Sequence, residues 1–337
     1  MKRSICRLIG LILLISTFLS VAAACSDELG EFTVNEKIVC EVDGTPVTYD
    51  DYKYFFYTHL TAMKQIEPKT DFSSGEGFKR IKEMTEDSLR RRQVILNLCD
   101  KYELELTDED EDAVNTYVQS QMDELGGELA YREYLLENRL TGKVFRDQTK
   151  LTFCYDLYLR DYLKRTPSKA IDLSADAIIA DVTGGNFYRY TQIFLRLDVG
   201  ELSVPLEAQA REAYALLCSG ASFTSVAATY SEWNRDHSEG VYATVGEKEE
   251  ILEETVLALE VGEISEVIAS SEGYHIFKRL PIDVDYVTKN FEDFEEQYFN
   301  RRYLEFIAEK SKKIKIEYAK YFSNISYADL TKKETLD

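Results

Sequence analysis

Hydrophobic residues recur at helical spacing through most of the chain, and strand and helix periods alternate within residues 186–282. Residues 37–42 are mostly apolar and end in an Asp43-Gly44 turn, which predicts a short strand. Thr48-Tyr49-Asp50-Asp51 has the form of a capping box, so a helix is expected to begin there. Further apolar stripes predict helices at residues 78–102, 107–122, 129–137 and 141–164. The first half of the chain is therefore predicted to be mostly helical.

The segment at 186–282 has its own order of elements. Pro205 and Ser222 are residues that favour the start of a helix, and Gly220 is one that favours its end. The predicted elements are a strand at 188–197, helices at 206–217 and 223–230, a strand at 240–245, a helix at 251–259, and a hairpin that begins at Gly262 and includes residues 273–278. The order β-α-α-β-α-β-β predicts an α+β domain with an antiparallel sheet.

The last part of the chain is predicted to return to the first. Residues 291–312 form an aromatic-rich helical pattern, and residues 314–318 alternate as a strand. Since short strands need partners for their backbone groups, we predict that residues 314–318 pair with residues 38–42. The predicted limits are 37–185 and 283–325 for a mostly helical domain, 186–282 for an insertion within it, and 326–337 for an exposed tail.

The N-terminus has the pattern of an export signal. A short basic stretch precedes an apolar run at 8–21, which is shorter than the ~20 residues of a membrane-spanning helix. Residues 1–24 resemble the bacterial lipoprotein signal, although Ala22 stands where an aliphatic residue is usual. The resemblance implies a lipid on Cys25, a polar tether at 25–36, and anchoring to the extracytoplasmic face of the cell membrane. An ordinary cleaved signal is the alternative.

The composition narrows the class of partner. The formal net charge is −21 over 337 residues, so the chain lacks the basic face that nucleic acids require, and no nucleic-acid partner is expected. The charge either serves solubility alone or favours basic, unfolded polypeptides. The six cysteines show no metal-binding spacing, and no metal or other cofactor is expected. Cys99 and Cys154, on apolar helix faces, are interpreted as buried free thiols, with a disulfide left open.

Several short motifs within 186–282 together resemble one enzyme family. They are Gly220-Ala221-Ser222-Phe223, Tyr230-Ser231, Leu257-Ala258-Leu259, Val261-Gly262-Glu263-Ile264-Ser265 and Gly273-Tyr274-His275-Ile276. The set resembles the parvulin-type (PpiC-like) peptidyl-prolyl cis/trans isomerases and spans the whole insertion. With the helical domain and the cysteine signal, the chain resembles the extracytoplasmic foldase lipoproteins of Gram-positive bacteria, which implies that the helical domain is chaperone-like. This resemblance implies unfolded or extended secreted polypeptides as partners and allows a homodimer.

The resemblance also implies a site. Parvulins combine an apolar pocket for proline with a polar cluster of two histidines and a Cys or Asp. His275 matches the second histidine, Gln192 stands in the place of the first, and Trp233 falls where Asp or Cys is expected. The predicted catalytic residues are therefore His275 and Gln192, and the predicted substrate pocket consists of Leu252, Trp233, Phe194 and Ser231.

These departures from the family pattern leave two functions open. A foldase would isomerise X-Pro bonds in secreted proteins, whereas a holdase chaperone would bind extended chains without accelerating rotation. Gln192 can hydrogen-bond His275 but cannot titrate, so the pair is either catalytic or purely structural. A third class, a ligand-binding or adhesion lipoprotein, is disfavoured by the motif set. No basic loop follows Phe194, which argues against phosphorylated substrates.

Overall fold

A computed structural model describes residues 36–166, 170–197, 203–232, 240–246, 248–270 and 272–333. Within these ranges, helices combine with two antiparallel sheets of three and four strands, which confirms the predicted α+β class. No helix in these ranges is long and apolar enough to cross a bilayer. Cys25 and Trp233 lie outside the described residues.

The three-stranded sheet joins the two ends of the described chain. Strands β1 (Ile38–Val42) and β2 (Thr45–Thr48) form a hairpin, and β7 (Ile316–Tyr318) lies on the other side of β1. Cys40 pairs with Tyr318 and Val42 pairs with Ile316. The predicted pairing of the C-terminal strand with the first strand is confirmed, although β7 begins two residues later than predicted.

The predicted capping box also forms. Thr48 precedes α1 (Tyr49–Ile66), its hydroxyl accepts from the Asp51 amide at 3.2 Å, and the Asp51 carboxylate accepts from the Thr48 amide at 3.3 Å. Both groups thus satisfy backbone donors that the first turn of the helix leaves unpaired. Asp51 also binds Arg92 at 2.9 Å, which ties the start of α1 to the next helix.

We call the part of the chain outside the insertion the frame. Its remaining helices follow in the predicted order. They are α2 (Gly75–Lys101), α3 (Asp108–Glu124), α4 (Glu128–Glu137), α5 (Gly142–Lys150), α6 (Asp156–Arg165), with a π-helical turn (Leu151–Tyr155) before it, and α7 (Ala175–Asp181). Buried residues of α2 pack on α6 and on the helix at Glu295–Ser311, and this cluster includes Cys99, Leu159 and Tyr303. Cys40, Cys99 and Cys154 are buried free thiols, and Cys218 is an exposed one.

The C-terminal part folds back on this frame. Helices α11 (Val284–Lys289) and α12 (Glu295–Ser311) precede β7, and α13 (Tyr327–Thr331) follows it. The predicted exposed tail after Ser326 is wrong for α13, because Leu330 is fully buried in the core formed by β1 and α1. Ser326 and Asp329 form a capping box at the start of this helix, which the sequence analysis did not predict.

The insertion contains the four-stranded sheet. Its elements are β3 (Phe187–Arg196), α8 (Ser203–Cys218), α9 (Phe223–Tyr230), β4 (Val241–Thr244), α10 (Glu250–Ala258), β5 (Ile268–Ala269) and β6 (Gly273–Leu280). The strand order is β4-β3-β6-β5. The hairpin differs from expectation in its first strand, since Ile264 makes a single bridge to Lys278 and the strand proper is β5. The exact limits of the insertion, 186–282, remain a prediction.

An aromatic joint connects the insertion to the frame. Tyr242 of β4 stacks on Tyr286 of α11 with ring centroids 5.8 Å apart, and it meets Phe294 edge-on at 4.9 Å. Phe187 of β3 meets Phe294 at 5.8 Å. The Tyr242 hydroxyl also accepts from the Asp283 amide. The insertion is therefore packed against the frame beside both of its chain connections.

Candidate functional site

One face of the four-stranded sheet collects the predicted polar residues. Side chains alternate between the two faces of a strand, so Gln192 and Phe194 on β3 point to the same side. The antiparallel register places Phe194 opposite His275 and Gln192 opposite Phe277. Residues separated by more than 80 positions in sequence are thus brought side by side. The opposite face carries Ile193, Leu195 and Ile276, which pack on α8 and α9.

His275 lies at the centre of this face and is only 3% exposed. Its Nδ1 is 3.3 Å from Oε1 of Gln192, and its Nε2 is 2.8 Å from Oγ of Ser270. Oε1 of Gln192 can only accept a hydrogen bond, and the Ser270 hydroxyl, which accepts from the Glu272 amide, is closer to Nε2 than to its alternative acceptor, the Gly273 carbonyl at 3.5 Å. We therefore assign the imidazole proton to Nδ1, where it is donated to Gln192. Both ring nitrogens then have a partner, as a buried imidazole requires.

The surroundings keep this imidazole neutral. Burial, with a smaller effect of the Lys248 charge, lowers the pKa of His275 to about 4. Desolvation disfavours the imidazolium, and no described carboxylate contacts the ring to offset that cost. At neutral pH the group is therefore a fixed hydrogen-bonding unit that carries no charge.

Aromatic rings enclose the imidazole. Phe194 stacks on His275 with centroids 4.6 Å apart, and Phe277 lies parallel to it at 5.6 Å. The Ser231 hydroxyl accepts from the Phe194 amide at 3.1 Å, and the Glu232 amide donates to the Phe194 carbonyl at 2.8 Å. Ser231 thus holds the end of β3 in place beside His275, and its part in the substrate pocket stays a prediction.

Leu252 lies further along the same face. It packs with Tyr188, Tyr190, Val256 and Phe277 in the cluster between the sheet and α10. The structure therefore brings Gln192, His275, Phe194 and Ser231 together and places Leu252 beside the adjoining cluster. Trp233 cannot be located, because it lies outside the described residues.

Ser270 is the site residue that reading the sequence missed. It belongs to the Ser-Ser-Glu-Gly turn before β6, and a hydroxyl five residues before a candidate histidine was the available signal. The turn brings Ser270 back to His275 because Gly273 passes very close to β3. A Cβ at position 273 would lie 2.0 Å from the Leu195 carbonyl oxygen, and φ is +146° there. Only glycine fits this position.

A family comparison defines the class of this domain. Residues 193–280 match the family model described as Rotamase, PPIC-type PPIASE domain. The match begins within β3, one residue after Gln192, ends with β6, and includes Ser270 and His275. The insertion is a PPIC-type peptidyl-prolyl isomerase domain, as the motifs predicted.

Individual solved structures are similar to the chain at low identity. The crystal structure of PrsA from Bacillus subtilis is 16% identical, with 83% of this chain and 92% of that one covered and a TM-score of 0.30. Foldase protein PrsA from Streptococcus pneumoniae is 17% identical, with 76% and 95% covered and a TM-score of 0.34. NmPin, the parvulin of Nitrosopumilus maritimus, is 27% identical, with 29% and 98% covered and a TM-score of 0.23.

No curated protein matches the chain significantly. Because the TM-scores of the solved structures are low, the assignment of the domain depends on the family match and on the site itself.

Proposed function

We propose that the chain is a membrane-anchored extracytoplasmic foldase that uses its PPIC-type domain to isomerise X-Pro bonds in secreted polypeptides. The observation that carries this proposal is the buried His275, which lies within the residues that match the family and is hydrogen-bonded between Ser270 and Gln192. Rotation about a peptide bond faces a barrier of about 18–20 kcal/mol from amide resonance. No bond breaks in this reaction, so it requires neither a nucleophile nor a metal.

The proposed chemistry is selective stabilisation of the twisted amide. Rotation localises the lone pair on the prolyl nitrogen and reduces the charge on the carbonyl oxygen. A surface that removes water from that oxygen therefore disfavours the planar form relative to the twisted one. Phe194 and the cluster around Leu252 supply apolar surface next to the polar pair.

In this proposal Gln192 is the polar group nearest the peptide. Its side chain is half-buried, whereas His275 is almost fully buried beneath Phe194. His275 fixes the Gln192 amide by donating to its oxygen, which leaves the NH2 group of Gln192 as a donor for a bound peptide. His275 then acts by positioning Gln192, and its charge takes no part.

The cellular role is inferred from the sequence features. A lipid on Cys25 and a tether at 25–36 would hold the domain outside the membrane, where secreted chains emerge unfolded. The frame around the insertion would offer such chains a second contact surface. Homodimerisation is compatible with this role and stays a prediction.

A non-catalytic holdase is the second candidate. It is favoured by Gln192, which stands where the family resemblance implies a histidine. In that case the same face would bind extended peptides and leave the rate of rotation unchanged.

Exchange spectroscopy on an X-Pro peptide series separates the two candidates. We expect the wild-type chain to accelerate rotation, and His275→Ala to remove most of the acceleration. His59→Ala is the matched control, because His59 is a partly buried histidine of the frame, 2.8 Å from Ser88. Suppressed aggregation of an unfolded client without any acceleration would establish the holdase and refute catalysis.

A further inference from the structure

A lysine lies against the aromatic face that holds His275. Lys248 Nζ is 5.1 Å from the centroid of the Tyr190 ring. Tyr190 meets Phe277 edge-on at 5.7 Å, and Phe277 lies parallel to His275 at 5.6 Å. The rings form a continuous row along β3 and β6, with the ammonium group at one end of it and His275 at the other.

The Lys248 ammonium group is not paired with a described acidic side chain. Lys248 forms no ion pair with any described residue. Glu253 of α10 accepts from the Gly246 amide at 2.9 Å and from the Tyr188 hydroxyl at 3.2 Å. Glu247, Glu249 and Glu250 flank Lys248 in the sequence, and the contact with Tyr190 is what places its ammonium group beside the aromatic face of the candidate site.

We propose that Lys248 is a specificity-determining residue, which favours peptides carrying Asp or Glu next to the proline. The inference rests on the proposed binding of X-Pro peptides at this face. A carboxylate that reaches Lys248 makes a charge-assisted contact, and the Tyr190 ring on one side of the ammonium excludes part of its water. A neutral Gln or Asn of the same shape can accept a hydrogen bond from the ammonium group but cannot form an ion pair with it.

The acidity of the whole chain acts in the opposite direction. The remaining negative charge repels any acidic peptide over distances up to about 10 Å at ordinary ionic strength. This repulsion is the same whichever side chain occupies position 248, apart from the single charge that is changed. A comparison of Glu and Gln peptides on two protein variants therefore isolates the local contact.

The test measures the affinities of paired peptides by chemical-shift titration of the full chain. Each pair differs only in Glu against Gln, immediately before or immediately after the proline. We expect the wild-type chain to prefer Glu over Gln, at one of these two positions, by roughly two- to five-fold, the range of a partly exposed ion pair. Lys248→Met should abolish the preference and keep the affinity for the Gln peptide.

Lys278→Met is the matched control. Lys278 lies on β6 next to Phe277, so its side chain points to the opposite face of the sheet, and Lys278→Met removes the same single positive charge as Lys248→Met. This variant should retain the Glu preference. An equal preference in the wild-type chain and Lys248→Met, or an equal loss in Lys278→Met, would overturn the inference.

Rotation rates on the same peptides separate this inference from the proposed function. A Glu preference in binding that depends on Lys248, without rate acceleration, supports the role of Lys248 and refutes catalysis. Acceleration with equal affinities for Glu and Gln peptides refutes only the role of Lys248. Absence of binding by every peptide overturns both.

Discussion

Acidification tests the buried, neutral state of His275. The pKa of this group is lowered to about 4 in the folded chain, against an ordinary value of 6.5. Between these two values the unfolded chain binds a proton that the folded chain does not bind. Stability must therefore fall as the pH decreases through this window, and the contribution of His275 is unchanged above pH 7.

The size of the effect follows from the two pKa values. Their difference corresponds to about 3 kcal/mol at pH values well below 4. At pH 4.5 the expected loss relative to pH 7 is about 2 kcal/mol, because the unfolded histidine is then almost fully protonated and the folded one is only partly so. Carboxylates titrate in the same range, so the total change in stability cannot be assigned to His275 without a reference.

His275→Gln provides that reference. Glutamine keeps hydrogen-bonding capacity at the site and removes the titration. The single tryptophan of the chain, Trp233, belongs to the insertion, so its fluorescence can follow unfolding of that domain. Urea titrations at pH 7 and at pH 4.5 then give the free energy of unfolding at each pH. The wild-type chain should lose about 2 kcal/mol more than the variant between these pH values. Equal losses, or a His275 ring proton whose NMR signal titrates near pH 6.5, would refute the buried neutral state.

Three further changes test other parts of the structure. Leu330→Ala should lower the free energy of unfolding of the frame by about 2–5 kcal/mol because Leu330 is fully buried, and Ile66→Ala, at a position 71% exposed, should change it by less than about 0.5 kcal/mol, both in urea titrations followed by far-UV circular dichroism. Ser270→Ala should destabilise the insertion by about 1–3 kcal/mol and slow X-Pro rotation, since it leaves Nε2 of His275 without a donor; an unchanged rate would contradict a positioning role. Cys25→Ser should move the protein from the membrane fraction to the soluble fraction and abolish incorporation of labelled fatty acid, and retention in the membrane would refute lipidation at that residue.

Local signals in the sequence were sufficient for most of the fold. Thr48 and Asp51 form a capping box because the relevant contacts span only three residues, and the spacing alone specifies them. The pairing of β1 with β7 was predictable from a different argument, namely that a short isolated strand must find a partner. The expectation of an exposed tail after Ser326 was wrong because Leu330 and Tyr327 hold the short helix α13 against the core of β1 and α1, and this contact depends on tertiary structure.

The candidate site was predictable only in part. The family resemblance identified His275 and Gln192, and their contact follows from the register of two strands. Ser270 could not be singled out because its position depends on how Gly273 turns the chain against Leu195. The place of Lys248 is likewise set by tertiary structure, since its approach to Tyr190 joins a loop to a strand almost 60 residues earlier.

The pairing of β1 with β7 also fixes an order of events during synthesis. The sheet of the insertion is complete once residue 280 has been made, but β1 lacks one neighbour until residues 316–318 emerge. The isomerase domain is therefore able to fold while the frame is still open along one edge of its sheet. Folding of the insertion brings its two chain connections together and shortens the effective loop that β1 and β7 must close. Closure of the frame is thus the last step, and a chain truncated before residue 316 would carry a folded isomerase domain on an incomplete frame.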